Sequence, residues 1–331
     1  MSRTYDVYGI GNALVDIQYQ VDPAFLEDKD IVKGVMTLIE EDRQKDLIVS
    51  LTDNALERSS GGSAANTMIS VASCGGKAYY ACKIAHDEDG DFYLSDLQAA
   101  GVASNPSNRE EGITGKCLVM ITPDADRTMN TFLGITSTFG PEQVDEAVIG
   151  DSTYLYIEGY LVASDMGFEA ARMAQKLAQA NGTRVSLTLS DPFIVDLFKD
   201  RMVALVDAGV DMLFCNDDEA QMFTGTSSVQ DACEALAGRV GGFAVTCGAE
   251  GARVKGSGDL FQASGFQVEA VDTNGAGDSF AGAFLFGVTN GYSVEQSAKL
   301  ATYVSSRVVS KYGPRFEDRL DRKGIEAILE M

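Results

Sequence analysis

A single histidine, His86, stands in a chain of 331 residues, and tryptophan is absent altogether. With one imidazole, Ser-His-Asp hydrolysis and most zinc or iron sites would have to be built on that one residue. The Asp-Glu-Asp-Gly-Asp that follows it reads instead as a solvated loop. The six cysteines, Cys74, Cys82, Cys117, Cys215, Cys233 and Cys247, form no C-x-x-C pair and stand among apolar neighbours, as reduced core thiols do. Basic side chains are scarce: 26 Lys and Arg against 49 Asp and Glu give a formal charge of −23. That balance repels nucleic acid and anionic membranes, which are both held chiefly through cations. No apolar stretch reaches the roughly 18 to 20 residues needed to span a bilayer, and the polar start MSRTYD lacks a signal peptide's apolar region. The cytoplasm is therefore the expected location. There is no Pro- or Ser-rich linker, internal repeat or low-complexity tract, which favours one body over two independent domains.

What the chain does contain is a 45% hydrophobic complement, ample for a core, arranged as alternating strand and helix patterns. YDVYGIG from Tyr5 reads as a buried strand, and the segment after GGSAAN carries Ala64, Met68, Val71 and Ala72 at helical spacing until Gly75 and Gly76 stop it. STYLYIEG and TRVSLTLSD flank a helical run from Met166 to Ala180, VDMLFCN precedes DDEAQMF, and helices near 278–290 and 294–309 close the core. The pattern predicts an α/β fold, a mostly parallel sheet covered by helices on both faces, as a single domain over 1–331. Two stretches break the rhythm. Residues 14–60 and 112–135 hold short β-like runs such as LVDIQYQV and GKCLVMI, and predict a small, discontinuous β lid.

Five polar or glycine-rich turns stand out, three of them at the ends of predicted strands. GIGNAL from Gly9 fails the dinucleotide fingerprint because Leu14 replaces its third glycine. Asn12 and Asp16 just beyond it could hold vicinal hydroxyls, or serve as a turn residue and a surface acid. GGSAAN from Gly61 lets a ligand approach the backbone at a helix start, or simply opens the helix. Asn216 and Glu219 in NDDEAQ form a capping box on one reading, and Glu219 lies near hydrated magnesium on the other. TCGAEGA from Thr246 is a hairpin turn or a nucleotide-contacting loop. DTNGAGD from Asp272 lacks the Gly-Lys-Ser/Thr of a Walker loop. Its helix start offers backbone N–H groups to an anion, yet Asp278 sets a carboxylate among them. A plain helix cap would account for that acid. So would a general base, set next to the donors that receive a phosphoryl group.

DTNGAGDSFAGAF and GGSAANTMISVASCGGKAYYA resemble the C-terminal and N-terminal signatures of the PfkB (ribokinase-like) carbohydrate kinases, in their adenosine kinase-like branch. LSDPFIVDLF, VDMLFCNDDEA and TCGAEGA fall in the family's order, so the resemblance spans essentially the whole chain. It implies a Rossmann-like body, a β lid closing on the acceptor, and transfer of the γ-phosphoryl group of ATP with Mg2+. Asp278 would be the base. Gly275, Ala276 and Gly277 would supply the anion hole, and Asn216 and Glu219 would organise magnesium and phosphates. Thr246, Gly248 and Gly251 would border ATP, while Asn12, Asp16, Gly62 and Asn66 match positions that hold ribose hydroxyls. Arg127 matches a lid arginine that reaches the phosphates, and Asp272 with Asn274 occupy the turn where some members bind K+.

The resemblance also implies an apolar and aromatic wall for a purine, with Tyr160, Leu161, Leu14 and Phe132 available to form it. Glu158 and Asp191 introduce acids that could hydrogen-bond a plain sugar instead. Adenosine or a related ribonucleoside is thus the first expectation, and a free sugar such as ribose or fructose the second. An NAD-dependent oxidoreductase and a catalytically idle nucleotide-binding module are the rivals from other classes. The lid's strand edges could pair two subunits, so monomer and homodimer both stay open.

Overall fold

The computed structural model describes residues 3–51, 55–124 and 126–331. Among them, strands that are apolar on both faces assemble into a nine-stranded sheet. Its order is Phe261–Ala263, Ala252–Lys255, Phe243–Thr246, Met212–Asn216, Arg184–Thr188, Ser152–Ile157, Tyr5–Ile10, Ala78–Ala81, Ala103–Ser104. From Phe243–Thr246 onward every pairing is parallel, and the two strands at the other edge run antiparallel. Helices Ser63–Ser73, Glu88–Ala99, Ala276–Thr289, Val294–Val309 and Arg322–Glu330 pack on one face. Helices Asp165–Ala180, Lys199–Asp207, Asp217–Thr224 and Val229–Ala237 cover the other. This is the Rossmann-like α/β architecture expected of the sequence. Chain order reverses on either side of Tyr5–Ile10, the kind of switch point at which open α/β sheets bind ligands beyond their strand ends.

A second, five-stranded sheet runs Met36–Leu38, Arg127–Gly134, Thr114–Ile121, Leu14–Gln20, Ala55–Gly61. Alternation gives it two different faces. Tyr19, Leu118 and Met120 are buried under helices Pro23–Asp28 and Glu41–Leu51, through Leu26, Leu47 and Leu51. Those two helices stand among the short β runs that the sequence pattern suggested for 14–60. Cys117, Val119 and Met129 point the opposite way, toward the large sheet's strand ends.

The glycines of the helix Ala276–Thr289 determine how closely it approaches its neighbours. A Cβ on Gly282 would come within 2.4 Å of the Thr67 carbonyl oxygen, and one on Gly287 within 2.4 Å of Ser297 Oγ. Helix Ser63–Ser73 therefore lies almost in backbone contact with it, and Ser70 Oγ donates to the Ser279 carbonyl at 2.9 Å across the seam. The cysteines are all free, five of them buried, and His86 is exposed. No helix of the described residues is long and apolar enough to cross a membrane.

Candidate active site

The start of helix Ala276–Thr289 is shaped by a glycine that no other residue could replace without strain. Gly275 caps it at φ 72°, and a Cβ there would lie 2.1 Å from the Pro314 carbonyl oxygen. The preceding turn is held by Asp272, whose carboxylate accepts from the backbone N–H groups of Asn274 at 3.0 Å and Gly313 at 2.9 Å. Arg127, from the small sheet, completes the arrangement as an ion pair with the same carboxylate. Asp278 is the third residue of the helix rather than its cap. The first-turn amides of Gly277 and Asp278 have no acceptor within the helix. A Cβ built on Gly277 meets nothing within 4 Å, so the turn encloses open space next to its donors.

The close helix packing decides what Asp278 touches. Ser63 Oγ donates to one carboxylate oxygen at 2.7 Å and Asn66 Nδ2 to the other at 3.2 Å. Burial pushes the carboxyl up to about 6, against the lowering pull of those two hydrogen bonds. Three other acids around the same space are raised to about 7 chiefly by burial: Asp16, Glu158 and Glu219. The Asn216–Glu219 capping box is formed in full, with Glu219 accepting from Asn216 N–H at 3.1 Å and from its Nδ2 at 2.8 Å.

These residues face two cavities. The first, about 340 Å³, is lined by Asn12, Asp16, Gly62, Ser63, Asn66, Tyr160, Asn216, Glu219, Asn274 and Asp278, with Leu14, Met36, Leu38, Val119, Met129 and Leu133 as its apolar side. The second, about 250 Å³, is bordered by Thr246, Gly248, Gly251, Phe266, Val268 and Ala276. Thr273 and Gly277 belong to the walls of both. Gly275, Gly277 and Asp278 therefore open on the first cavity, and the same helical turn borders the second through Ala276 and Gly277.

Two expected wall residues are elsewhere. Phe132 pairs with Lys116 and shares strand parity with Asn130 and Thr128, whose partners Leu118 and Met120 face the covering helices, so Met129, Thr131 and Leu133 line the cavity in its place. Leu161 is 3% exposed and packs in the core of the large sheet, leaving Tyr160 alone of that pair at the cavity. Arg127 lies outside both cavity walls, and Asp191 caps helix Pro192–Leu197 by accepting from Phe193 N–H at 2.7 Å. Ser63, Thr273 and the cavity face of the small sheet were missed by motif reasoning. Only strand alternation could have pointed to the last.

The four raised acids make a stability prediction. Each binds its proton more tightly in the folded chain than in the unfolded one, where a carboxyl titrates near 4. Their contribution is present below that value and is lost as pH climbs through about 6 to 7. The melting temperature, followed by circular dichroism without ligands, should be lower at pH 8 than at pH 5.

Residues 35–319 match the family model described as "pfkB family carbohydrate kinase". The chain belongs to the pfkB family of carbohydrate kinases. It is similar to a solved adenosine kinase from Sinorhizobium meliloti, at 37% identity over 98% of this chain and 99% of that one, with a TM-score of 0.90. A probable sugar kinase protein from Rhizobium etli superposes with a TM-score of 0.92 at 36% identity, covering 99% of this chain and 100% of its own. Adenosine kinase 1 of Arabidopsis thaliana is 26% identical, over 95% of this chain and 96% of its length. The protein is a kinase of the adenosine kinase-like branch.

Proposed function

We propose that this kinase transfers the γ-phosphoryl group of ATP to the 5′-hydroxyl of a ribonucleoside, adenosine first. The observation that carries the reading is the shared wall of the two cavities: Asp278 stands on one side of Gly277 and the glycine turns Thr246–Gly251 stand on the other. In this reading the acceptor lies in the first cavity and ATP in the second, meeting at the amides of Gly277 and Asp278. The Asp278 carboxylate takes the hydroxyl proton as the acceptor oxygen bonds to phosphorus, and the bond to the β-phosphate bridging oxygen breaks to release ADP. Of the expected anion hole, the Ala276 amide already donates to the Thr273 carbonyl at 3.3 Å, so the amides of Gly277 and Asp278 would receive the phosphoryl oxygens. Bound magnesium would supply neutralisation of the phosphate charge. Asn216 and Glu219 would hold its water shell, since a single carboxylate beside substrate phosphates suits that ion.

Arg127 fits a phosphate role only by leaving Asp272. Its Nη2 pairs with Asp272 while its Nε and Nη1 are buried without a hydrogen bond, so an incoming phosphate would give those two donors an acceptor. The Asp272 carboxylate is already taken by Arg127 and two backbone amides, and no potassium step is assigned to it.

The acceptor follows from the wall. Leu14, Met36, Val119, Met129 and Leu133 offer a planar base an apolar surface, with Tyr160 beside them, while Asn12 and Asp16 supply polar atoms for ribose hydroxyls. A free sugar would leave that apolar side uncovered. Glu158, which could have favoured a sugar, already accepts hydrogen bonds from the protein on both oxygens. Met129→Ala should accordingly raise the KM for adenosine by about tenfold or more, whereas Phe132→Ala should leave it near wild type. In the rate, kcat/KM should rise with pH through about 6 as Asp278 ionises.

A coupled ADP-release screen with ATP and Mg2+ tests the whole reading against a panel of nucleosides and sugars. Turnover with adenosine and not with ribose or fructose supports it. Preference for a free sugar would replace the acceptor, and no ADP release with any alcohol would sink it.

A further inference from the structure

Glu158 is 1% exposed at the C-terminal end of strand Ser152–Ile157, and three donors from two other segments converge on it. Asn12 donates to Oε1 through its backbone N–H at 3.2 Å and its Nδ2 at 2.9 Å. Ala64 donates its backbone N–H to Oε2 at 2.9 Å. The space is closed around it: a Cβ on Gly11 would lie 2.3 Å from Oε2. Ala64 sits between Ser63 and Asn66, the two residues whose side chains hold the carboxylate of Asp278. One buried acid thus ties the loop after the first strand to the helix start that orients the base.

A core acid kept only for stability would be an expensive choice, since burying a carboxylate costs more than a well-packed apolar side chain of the same size. Its contacts instead fix two segments that line the acceptor cavity from different parts of the chain. We propose that Glu158 is a positioning residue of the phosphotransfer site: through Asn12 and the Ala64 amide it sets where Ser63 and Asn66 hold Asp278 against the acceptor hydroxyl. The proposal rests on Asp278 acting as base.

The test uses the full chain with Glu158→Gln, Glu158→Asp, Ser63→Ala and the double variant Glu158→Gln/Ser63→Ala. An amide at 158 turns one acceptor into a donor facing donors, with almost no change of volume. Glu158→Gln should bind ATP much as wild type does, melt somewhat lower because a buried donor is left unsatisfied, and exchange amide hydrogens faster over residues 9–14 and 62–68. Its kcat should be lower by about tenfold or more, because displacing a reacting group by about 1 Å is that costly. Glu158→Asp, which keeps the charge and both acceptors, should recover part of that loss. Because both changes act on the same carboxylate, the double variant should lose less than the product of the two single losses.

Wild-type kcat in Glu158→Gln, or losses that simply multiply, would overturn the proposal. Should the glutamine variant not fold, Glu158→Asp paired with Ser63→Ala gives the same comparison with the same two outcomes. Unchanged exchange over both segments overturns it whichever acceptor the enzyme uses. Faster exchange in a protein that phosphorylates no alcohol supports the tie and sinks the acceptor reading instead.

Discussion

Asp278→Asn is expected to lower kcat by about 10²-fold or more while leaving ATP affinity and melting temperature close to wild type. The substitution is nearly isosteric, so the close seam between helices Ala276–Thr289 and Ser63–Ser73 can survive it. What it removes is the capacity to accept a proton. A carboxylate held by Ser63 Oγ at 2.7 Å and Asn66 Nδ2 at 3.2 Å has its orientation set and still keeps lone pairs for the acceptor hydroxyl. An asparagine can satisfy one of those donors and must turn its own NH2 toward the other. Steady-state kinetics with saturating ATP, alongside nucleotide binding by calorimetry, separate the two effects. Near-normal turnover would reject Asp278 as the base, and weakened ATP binding of the same size would move its role to the nucleotide side.

Gly277→Ala is the second large effect, and it should appear without any cost in stability. Alanine is the better helix former by roughly 0.5 to 1 kcal/mol, and its Cβ would meet no atom of the folded chain within 4 Å. The melting temperature should therefore hold or rise. The added methyl stands in the wall shared by both cavities, where the proposed reaction brings the phosphoryl group within hydrogen-bond distance of a main-chain amide. Losing one such donor typically costs 10²-fold or more in the transition state, so kcat/KM for ATP should fall by about that amount. Gly275→Ala offers the contrast. There φ is 72° and the Pro314 carbonyl oxygen blocks a side chain at 2.1 Å, so both fold and activity should suffer. Equal damage to stability from both alanines would contradict an open cradle at Gly277.

The alternation of strand and helix, the Gly-Ala-Gly-Asp turn and the paired glycines before Ser63 were legible because each is a local pattern. So was the contrast in the small sheet between short β runs and the α/β rhythm around them. Helices Pro23–Asp28 and Glu41–Leu51 were not. The first is only six residues long, and both interrupt a stretch whose strands announce themselves more strongly. The choice between Phe132 and Leu133 turned on parity alone. An aromatic side chain looks like the better partner for a flat base, yet the register with Thr114–Ile121 turns it toward the covering helices.

The acid at 278 lies 215 residues from the serine that holds it, and Glu158 lies 94 residues from the amide it receives. No periodicity or spacing reports contacts of that reach. Tyr160 and Leu161 looked alike as candidates at one turn, and only packing sent the first to the cavity and the second to the core.

By itself, then, the amino-acid order determined the fold class and the backbone chemistry of each turn, because hydrogen-bond geometry and the freedom of glycine act over a few neighbouring residues. Tertiary structure alone decided which side chains share a space: glycines let two helices nearly touch, and strand pairing picks one of two faces. Proximity between distant segments is a property of packing, and it is packing that gathered the donors around the acid.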